Sequence, residues 1–181
     1  MKYNLGLLDG ISHINICYNE SYSTTTIESL YNFCEKEFTN IVSFNANINM
    51  IYTTNDELLI EDSSYNDYVK IKAIIKYDDY DKWYLLWLRE VHNKNTMKIY
   101  TIYINDNQLI PVINKGKCYP KDIDLLDRIV YSKSIYKDND INDIIVDKII
   151  PDKDTKKTGY SIITVSGRYD IDGINVYCGR I

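Results

Sequence analysis

The most hydrophobic part of the chain consists of two strand-like runs separated by a few turn-prone residues. Residues 83–91 are almost wholly apolar, and residues 97–104 combine β-branched and aromatic side chains. This pattern predicts an antiparallel hairpin. A turn at 105–108 leads into a third short run at 109–113, where Pro111 cannot donate to a strand ladder and indicates an edge or a strand end. We expect the rest of the chain to pack on this sheet.

Strict alternation of apolar and polar residues predicts further strands with one solvated face. Residues 42–52 alternate throughout, residues 58–60 form a short apolar run, and residues 69–77 place three lysines on the outer face. A sheet covered on one side only is typical of antiparallel pairing. Near the end, residues 160–165 and 174–177 read as the arms of a last hairpin around an Asp-Gly turn at 172–173.

Helical periodicity is clearest over residues 27–38, where apolar residues recur at spacings of three and four. Thr25 and Glu28 fit a capping box at its start. A proline followed by an acidic first turn predicts a second helix over residues 121–132. Residues 141–150 fit either a helix or a strand rich in β-branched residues, and the pattern leaves both open.

Together these elements predict an α+β fold in one globular domain over residues 1–181. We expect a mainly antiparallel, meander-like sheet of about six to eight strands with two or three helices on one face. Residues 1–20 are interpreted as an irregular or strand-like lead-in, and residues 151–158 as a mobile charged loop. The sequence contains no internal repeat and no linker-like stretch.

Composition and charge narrow the class of partner and the compartment. A net charge of −5 argues against nucleic acid or an anionic membrane as the main partner and suits a basic protein partner. No apolar run is long enough to span a membrane, so a cytoplasmic location is expected, in the host cytoplasm if the protein is viral. The four scattered cysteines indicate reduced thiols. Abundant Ile, Asn, Lys and Tyr are typical of an AT-rich genome, such as that of a large DNA virus, a phage or a low-GC bacterium.

No motif in the sequence names a reaction. His13 and His92 are the only histidines, and the chain has neither a nucleophile-elbow serine nor a glycine-rich phosphate loop. Residues 138–143 begin like a calcium loop but lack the required glycine and the bidentate glutamate. Asp170 and Asp172 share a strand face and are weak metal candidates. The sequence therefore predicts no cofactor and no metal.

One loop stands out as a contact surface. In the segment from residue 77 to residue 83, acidic residues alternate with aromatic ones in a predicted exposed turn. Rigid rings bury a large area at low entropic cost, and carboxylates steer a basic partner. The predicted partner-binding residues are Tyr77, Asp78, Asp79, Tyr80, Asp81 and Trp83.

Three function classes follow from these observations. The first is a non-enzymatic protein-interaction module, such as an inhibitor, an immunity protein or a viral or phage antagonist of a host factor, that binds through the acidic-aromatic loop. The second is a module that binds a nucleotide or a sugar. The third is a metal-dependent hydrolase that uses Asp170, Asp172 or Glu90 together with His92. The absence of a catalytic motif favours the first.

Overall fold

The computed structural model describes residues 5–92, 97–131 and 141–179, which form a predominantly β architecture. These residues contain one α-helix, α1 (Ile27–Glu37), and one turn of 3-10 helix at Pro120–Asp122. The strands are β1 (Leu8–Asp9), β2 (His13–Tyr18), β3 (Ser21–Thr26), β4 (Ile41–Asn45), β5 (Ile48–Tyr52), β6 (Leu58–Asp62), β7 (Asp67–Tyr80), β8 (Trp83–His92), β9 (Met97–Asn105), β10 (Ile110–Val112), β11 (Gly116–Cys118), β12 (Arg128–Ile129), β13 (Ile141–Asp152), β14 (Lys157–Thr164), β15 (Arg168–Ile171) and β16 (Ile174–Tyr177).

In the described part of the chain, fourteen strands join one sheet of antiparallel pairs, and β15 and β16 form a separate hairpin. The predicted α+β fold, with about six to eight strands and two or three helices, is therefore wrong. The predicted helix at 121–132 is replaced, in its described part, by the 3-10 turn and β12. The ambiguous run at 141–150 is strand β13, which pairs along β8. Long-range pairing of β-branched residues outweighs their helix-like spacing there.

The central hairpin predicted from the apolar runs is confirmed, because β8 and β9 pair in register from Trp83 to Val91. The alternating run at 42–52 is not one strand but a second hairpin, β4 and β5. The side chain of Asn45 causes this break, since its Oδ1 accepts hydrogen bonds from the backbone N–H of Asn47 (2.8 Å) and Ile48 (3.0 Å). An asparagine that bonds its own downstream backbone favours a turn.

The predicted amphipathic helix is confirmed as α1. Its cap lies one residue later than the predicted capping box, because Thr26 Oγ1, not Thr25, accepts the backbone N–H of Ser29 at 3.2 Å. Leu30 and Cys34 on the apolar face of α1 are fully buried in the main core. The helix thus covers part of the sheet, as its periodicity indicates.

The predicted Asp172–Gly173 turn is also confirmed, with both residues at positive φ (41° and 86°). The first arm of this hairpin is β15 and not residues 160–165. Residues 160–164 belong to β14, which pairs with β7. The lead-in at 1–20 contains β1 and β2. The predicted charged loop at 151–158 is shorter than expected, since β13 continues to Asp152 and β14 begins at Lys157.

The placement of β1 determines where the functional site lies. Leu8 pairs with Ile104 of β9 on one side and with Tyr160 of β14 on the other. The start of the chain is therefore inserted between two strands that are distant in sequence. Among the described residues, no helix is long and apolar enough to cross a membrane.

Candidate functional site

The amino-terminal segment is fixed by one buried amide side chain. Asn105, at the end of β9, donates from Nδ2 to the carbonyl oxygen of Leu5 (2.7 Å) and accepts the backbone N–H of Leu7 at Oδ1 (2.8 Å). Its own backbone N–H donates to the Leu7 carbonyl at 3.0 Å. Asn105 is fully buried, so these bonds are shielded from water. Asn105 therefore holds the backbone from Leu5 to Leu7 through both carbonyl and N–H groups.

A second buried amide fixes the carboxyl-terminal segment. Gln108 Nε2 donates to the carbonyl oxygen of Tyr177 at 2.9 Å and to that of Leu109 at 3.0 Å. Gln108 is 0% exposed, and its Oε1 has no hydrogen-bond partner among the described residues. The carbonyl of the peptide bond between Tyr177 and Cys178 is thus polarised by a buried donor.

The two ends of the described chain meet beside these amides. A Cβ at Gly179 would stand 2.7 Å from Ser161 Oγ and 3.4 Å from the backbone nitrogen of Gly6, and a Cβ at Gly6 would stand 2.7 Å from Gln108 Oε1. Only glycine permits these approaches without a shift of neighbouring atoms. Ser161 Oγ is buried and, like Gln108 Oε1, has no partner among the described residues.

We call this place the chain-end site; it comprises Gly6, Gln108, Ser161, Tyr177, Cys178 and Gly179. Cys178 contributes a thiol to this site. Its Sγ accepts the backbone N–H of Thr164 (3.4 Å) and lies 3.3 Å from Thr164 Oγ1. Burial raises the pKa of the Cys178 thiol, and the hydrogen bonds from Thr164 only partly oppose this. The thiol is therefore protonated at neutral pH.

The arrangement around the bond between Tyr177 and Cys178 has three parts that suit attack by a thiol on the preceding carbonyl. The Tyr177 oxygen has the Gln108 donor at a distance that fits a developing oxyanion. The Cys178 nitrogen, which would leave, donates its N–H to the Gly167 carbonyl at 2.9 Å. Attack by Sγ closes a five-membered ring within one residue, so proximity is built into the covalent structure.

The predicted acidic-aromatic segment lies at the junction of β7 and β8. Trp83 is 1% exposed, and the Tyr80 ring packs edge-on against both Tyr77 and Trp83. The Tyr80 hydroxyl donates to the Asp106 carboxylate. Asp79 and Asp81 are exposed, as is expected of carboxylates on a contact surface. Its role in partner binding stays a prediction.

Both histidines line one cavity of about 790 Å³, which shares no residue with the chain-end site. His92 Nε2 lies 3.0 Å from Glu90 Oε1, and His13 Nδ1 lies 3.5 Å from Asp172 Oδ1. Asp170 also lines this cavity, so the structure brings together the four residues of the hydrolase hypothesis. Burial raises the pKa of Asp172, and the backbone N–H of His13 opposes this. Among the described residues, no group of three or more His, Cys, Asp or Glu side chains could hold a metal ion.

The residues of the chain-end site were missed from the sequence. Gln108 falls in a stretch interpreted as a turn, and Ser161 lies in an ordinary strand pattern. Cys178 carried one available signal, a lone cysteine followed by glycine after the last hairpin, but its raised pKa and its neighbours are visible only in three dimensions. Residues 138–140 of the candidate calcium loop lie outside the described residues, and residues 141–143 belong to strand β13.

Comparison with known proteins identifies the fold. No family model matches the chain, and no curated protein matches it. Solved structures do match: a transcription factor IIB Mvu mini-intein has a TM-score of 0.70 at 12% identity, covering 96% of this chain and 99% of that one. An intein from a hyperthermophile gives 0.68 at 12% identity over 97% and 99%. A DnaB intein from Synechocystis gives 0.54 at 12% identity over 96% and 98%. The chain has the intein fold.

This finding corrects the predicted function class. The similar structures are inteins, which are protein-splicing domains, and not inhibitors, immunity proteins or antagonists. It equally fails to support the nucleotide- or sugar-binding module and the metal-dependent hydrolase. The absence of a local catalytic motif was a poor guide, because the residues that meet in this fold come from positions far apart in sequence.

Proposed function

We propose that the chain is a self-processing domain that rearranges the peptide bond between Tyr177 and Cys178. The observation that carries this proposal is the buried hydrogen bond from Gln108 Nε2 to the Tyr177 carbonyl, next to the Cys178 thiol. The intein fold and the close approach of Gly6 and Gly179 support it, since the similar structures are protein-splicing domains.

In the proposed step, Cys178 Sγ bonds to the Tyr177 carbonyl carbon and the carbon–nitrogen bond between the two residues breaks. The thiol proton ends on the released Cys178 nitrogen, so the step is balanced without a co-reactant. Gln108 stabilises the oxyanion, and the Gly167 carbonyl accepts a hydrogen bond from the leaving amine. The product is a thioester, which an added thiol or hydroxylamine intercepts.

The test is interception of that thioester by a soluble thiol, followed by intact mass spectrometry. The purified folded chain is expected to lose residues 178–181 and to carry the added thiol on Tyr177. Because burial holds the Cys178 thiol protonated, the release is expected to accelerate as the pH rises from neutral. A folded chain that keeps its full mass under these conditions would contradict the proposal.

Three variants serve as controls. Cys178→Ala removes the nucleophile and should abolish release, whereas Cys118→Ala removes another buried thiol and should leave release unchanged. Gln108→Leu removes the oxyanion donor and should slow release by roughly 10²–10³-fold. Release that persists in Cys178→Ala would assign the cleavage to another group.

A second candidate function is a clamp that holds the chain ends together without breaking a bond. The raised pKa of Cys178 favours it, because a protonated thiol is a poor nucleophile. The clamp predicts no release in the same experiment. For either function we propose a cytoplasmic location, which the four free cysteines support because a reducing compartment keeps thiols unpaired.

A further inference from the structure

The connection between β14 and β15 surrounds the Cys178 thiol with hydrogen-bonding groups. Thr164 ends β14, Arg168 begins β15, and residues 165–167 join them. The backbone N–H of Cys178 donates to the Gly167 carbonyl at 2.9 Å, which fixes the cysteine beside this connection. Thr164 is 4% exposed. Its hydroxyl and the thiol therefore interact with little competition from water.

The Thr164 hydroxyl has more hydrogen-bonding neighbours than its single proton can serve. Oγ1 accepts the backbone N–H of Gly167 (3.1 Å) and donates to the Arg168 carbonyl (2.8 Å). It also lies 3.3 Å from Cys178 Sγ, and this sulfur accepts the Thr164 backbone N–H at 3.4 Å. A hydroxyl has one proton to donate and two lone pairs that accept. The direction of the hydrogen bond between Oγ1 and Sγ therefore depends on whether the thiol carries its proton.

Ser166 allows the hydroxyl proton of Thr164 to change its acceptor. Ser166 Oγ also donates to the Arg168 carbonyl, at 3.0 Å. While the Cys178 thiol is protonated, Thr164 donates to this carbonyl and accepts the S–H with its free lone pair. A thiolate only accepts, so rotation of the Thr164 hydroxyl turns its proton toward Sγ, and Ser166 remains as the donor to the carbonyl. Neither state leaves the Arg168 carbonyl without a hydrogen bond.

The other groups that act on the thiol disfavour its charged form. Burial raises the pKa of Cys178, and the negative charge of Asp62 on β6 raises it as well. The buried Tyr169 hydroxyl on β15 also interacts electrostatically with the thiol. Thr164 opposes these effects, because its hydroxyl and its backbone N–H both hydrogen-bond the sulfur and lower the pKa of Cys178.

Two cations near this connection are engaged by the Tyr177 side chain. Arg168 donates from Nη2 to the Tyr177 hydroxyl at 2.7 Å, and its guanidinium carbon lies 4.2 Å from the centre of the Tyr177 ring. Lys117 Nζ lies over the same ring at 4.6 Å. Neither cation is a main cause of the shift in the pKa of Cys178. Stabilisation of a thiolate therefore depends on Thr164.

We propose that Thr164 is a positioning residue, which turns its hydroxyl proton toward Cys178 Sγ and stabilises the thiolate that attacks the Tyr177 carbonyl. This role depends on the self-processing function proposed above. The sulfur–carbon bond forms and the carbon–nitrogen bond breaks as in that step, and the thiol proton ends on the Cys178 nitrogen. Thr164 keeps its own proton throughout. The site thus holds a neutral nucleophile at rest and stabilises its charge as the reaction begins.

A matched set of variants tests this role through the pH profile of thiol-induced release. Thr164→Val loses the hydroxyl, so release should be roughly tenfold to hundredfold slower at neutral pH, with the profile midpoint about 1–2 pH units higher. Thr164→Ser keeps the hydroxyl and should restore the wild-type profile. Thr158→Val removes a hydroxyl that bonds Asp78 elsewhere on β14 and should leave the profile unchanged. Release slowed equally at every pH would show a purely structural role and overturn the proposal.

Ser166→Ala provides a second test in which Thr164 stays intact. Without Ser166 Oγ, the Arg168 carbonyl keeps only the Thr164 hydroxyl as its side-chain donor. Turning that hydroxyl toward Cys178 then leaves the carbonyl unpaired, so the midpoint should rise in the same direction as in Thr164→Val but by less. A Ser166→Ala midpoint equal to that of the wild type would contradict the change of acceptor.

Alkylation of Cys178 by iodoacetamide over a pH series, read by peptide mass spectrometry, measures ionisation of the thiol without requiring release. The Thr164→Val midpoint should again lie about 1–2 pH units above that of the wild type. If this shift is present but the wild type keeps its full mass, the stabilisation of the thiolate by Thr164 stands and the proposed function fails. If the wild type releases its last residues while both Thr164→Val profiles match its own, the role of Thr164 fails and the proposed function stands.

Discussion

The chain-end site and the histidine-lined cavity differ in whether their polar side chains have partners. In the cavity, His13 and His92 each lie beside a carboxylate, and the space between the walls is about 790 Å³. In the chain-end site, two buried polar atoms, Gln108 Oε1 and Ser161 Oγ, have no partner among the described residues.

Familiar catalytic residue types and a constrained geometry therefore need not occur at the same place in a protein. Paired, partly exposed groups in an open cavity are a low-cost arrangement. Buried groups without partners cost free energy and persist where the surrounding structure holds them. The chain-end site is therefore expected to be the more sensitive of the two to substitution, and three measurements test this expectation.

The largest effect is expected from Asn105→Ala. This change leaves the Leu5 carbonyl and the Leu7 N–H buried without their side-chain partner, at about 1–3 kcal/mol for each group. Urea unfolding should show that the free energy of unfolding falls by about 2–6 kcal/mol. The control is Asn107→Ala, which removes one partly buried bond to Tyr80 and should cost about 1 kcal/mol. Equal losses would show that Asn105 does not anchor the amino-terminal segment.

A smaller effect is expected from Gly6→Ala. The added methyl would stand 2.7 Å from Gln108 Oε1 and 3.2 Å from the Gln108 Cα, so the neighbouring backbone must shift. Overpacking of this kind costs about 1–3 kcal/mol. Thr101→Ala on the exposed cavity wall should stay within about 0.5 kcal/mol. Thermal unfolding compares the two, and an unchanged Gly6→Ala melting temperature would mean that the chain-end site is loosely packed.

The smallest effect concerns pH and belongs to the cavity. Burial raises the pKa of Asp172 in the folded state, so the folded chain binds this proton more tightly than the unfolded chain. The free energy of unfolding should therefore fall as the pH rises from about 4 to the raised native value. Asp172→Asn should flatten that decline, while Asp154→Asn at an exposed position should not. Unfolding curves from pH 4 to 7 check this, and parallel profiles would contradict it.

The sequence predicted those elements that local periodicity determines. The β8 and β9 hairpin, α1 and the Asp172–Gly173 turn all follow from short-range patterns. The prediction of a helix over residues 121–132 was wrong, because apolar residues spaced three apart also occur in segments that pair with distant strands. The chain-end site could not be predicted, since Gln108, Ser161 and Cys178 meet only after β1 inserts between β9 and β14.

The contact between Gly6 and Gly179 also has a topological consequence. A folded unit in which Gly6 and Gly179 lie side by side behaves, for any polypeptide that carries it, like a short surface loop. The entropy of closing that loop depends on the distance its ends must span, not on the length of chain folded between them. A host fold could thus accommodate the entire unit at one exposed turn with little strain in its own backbone.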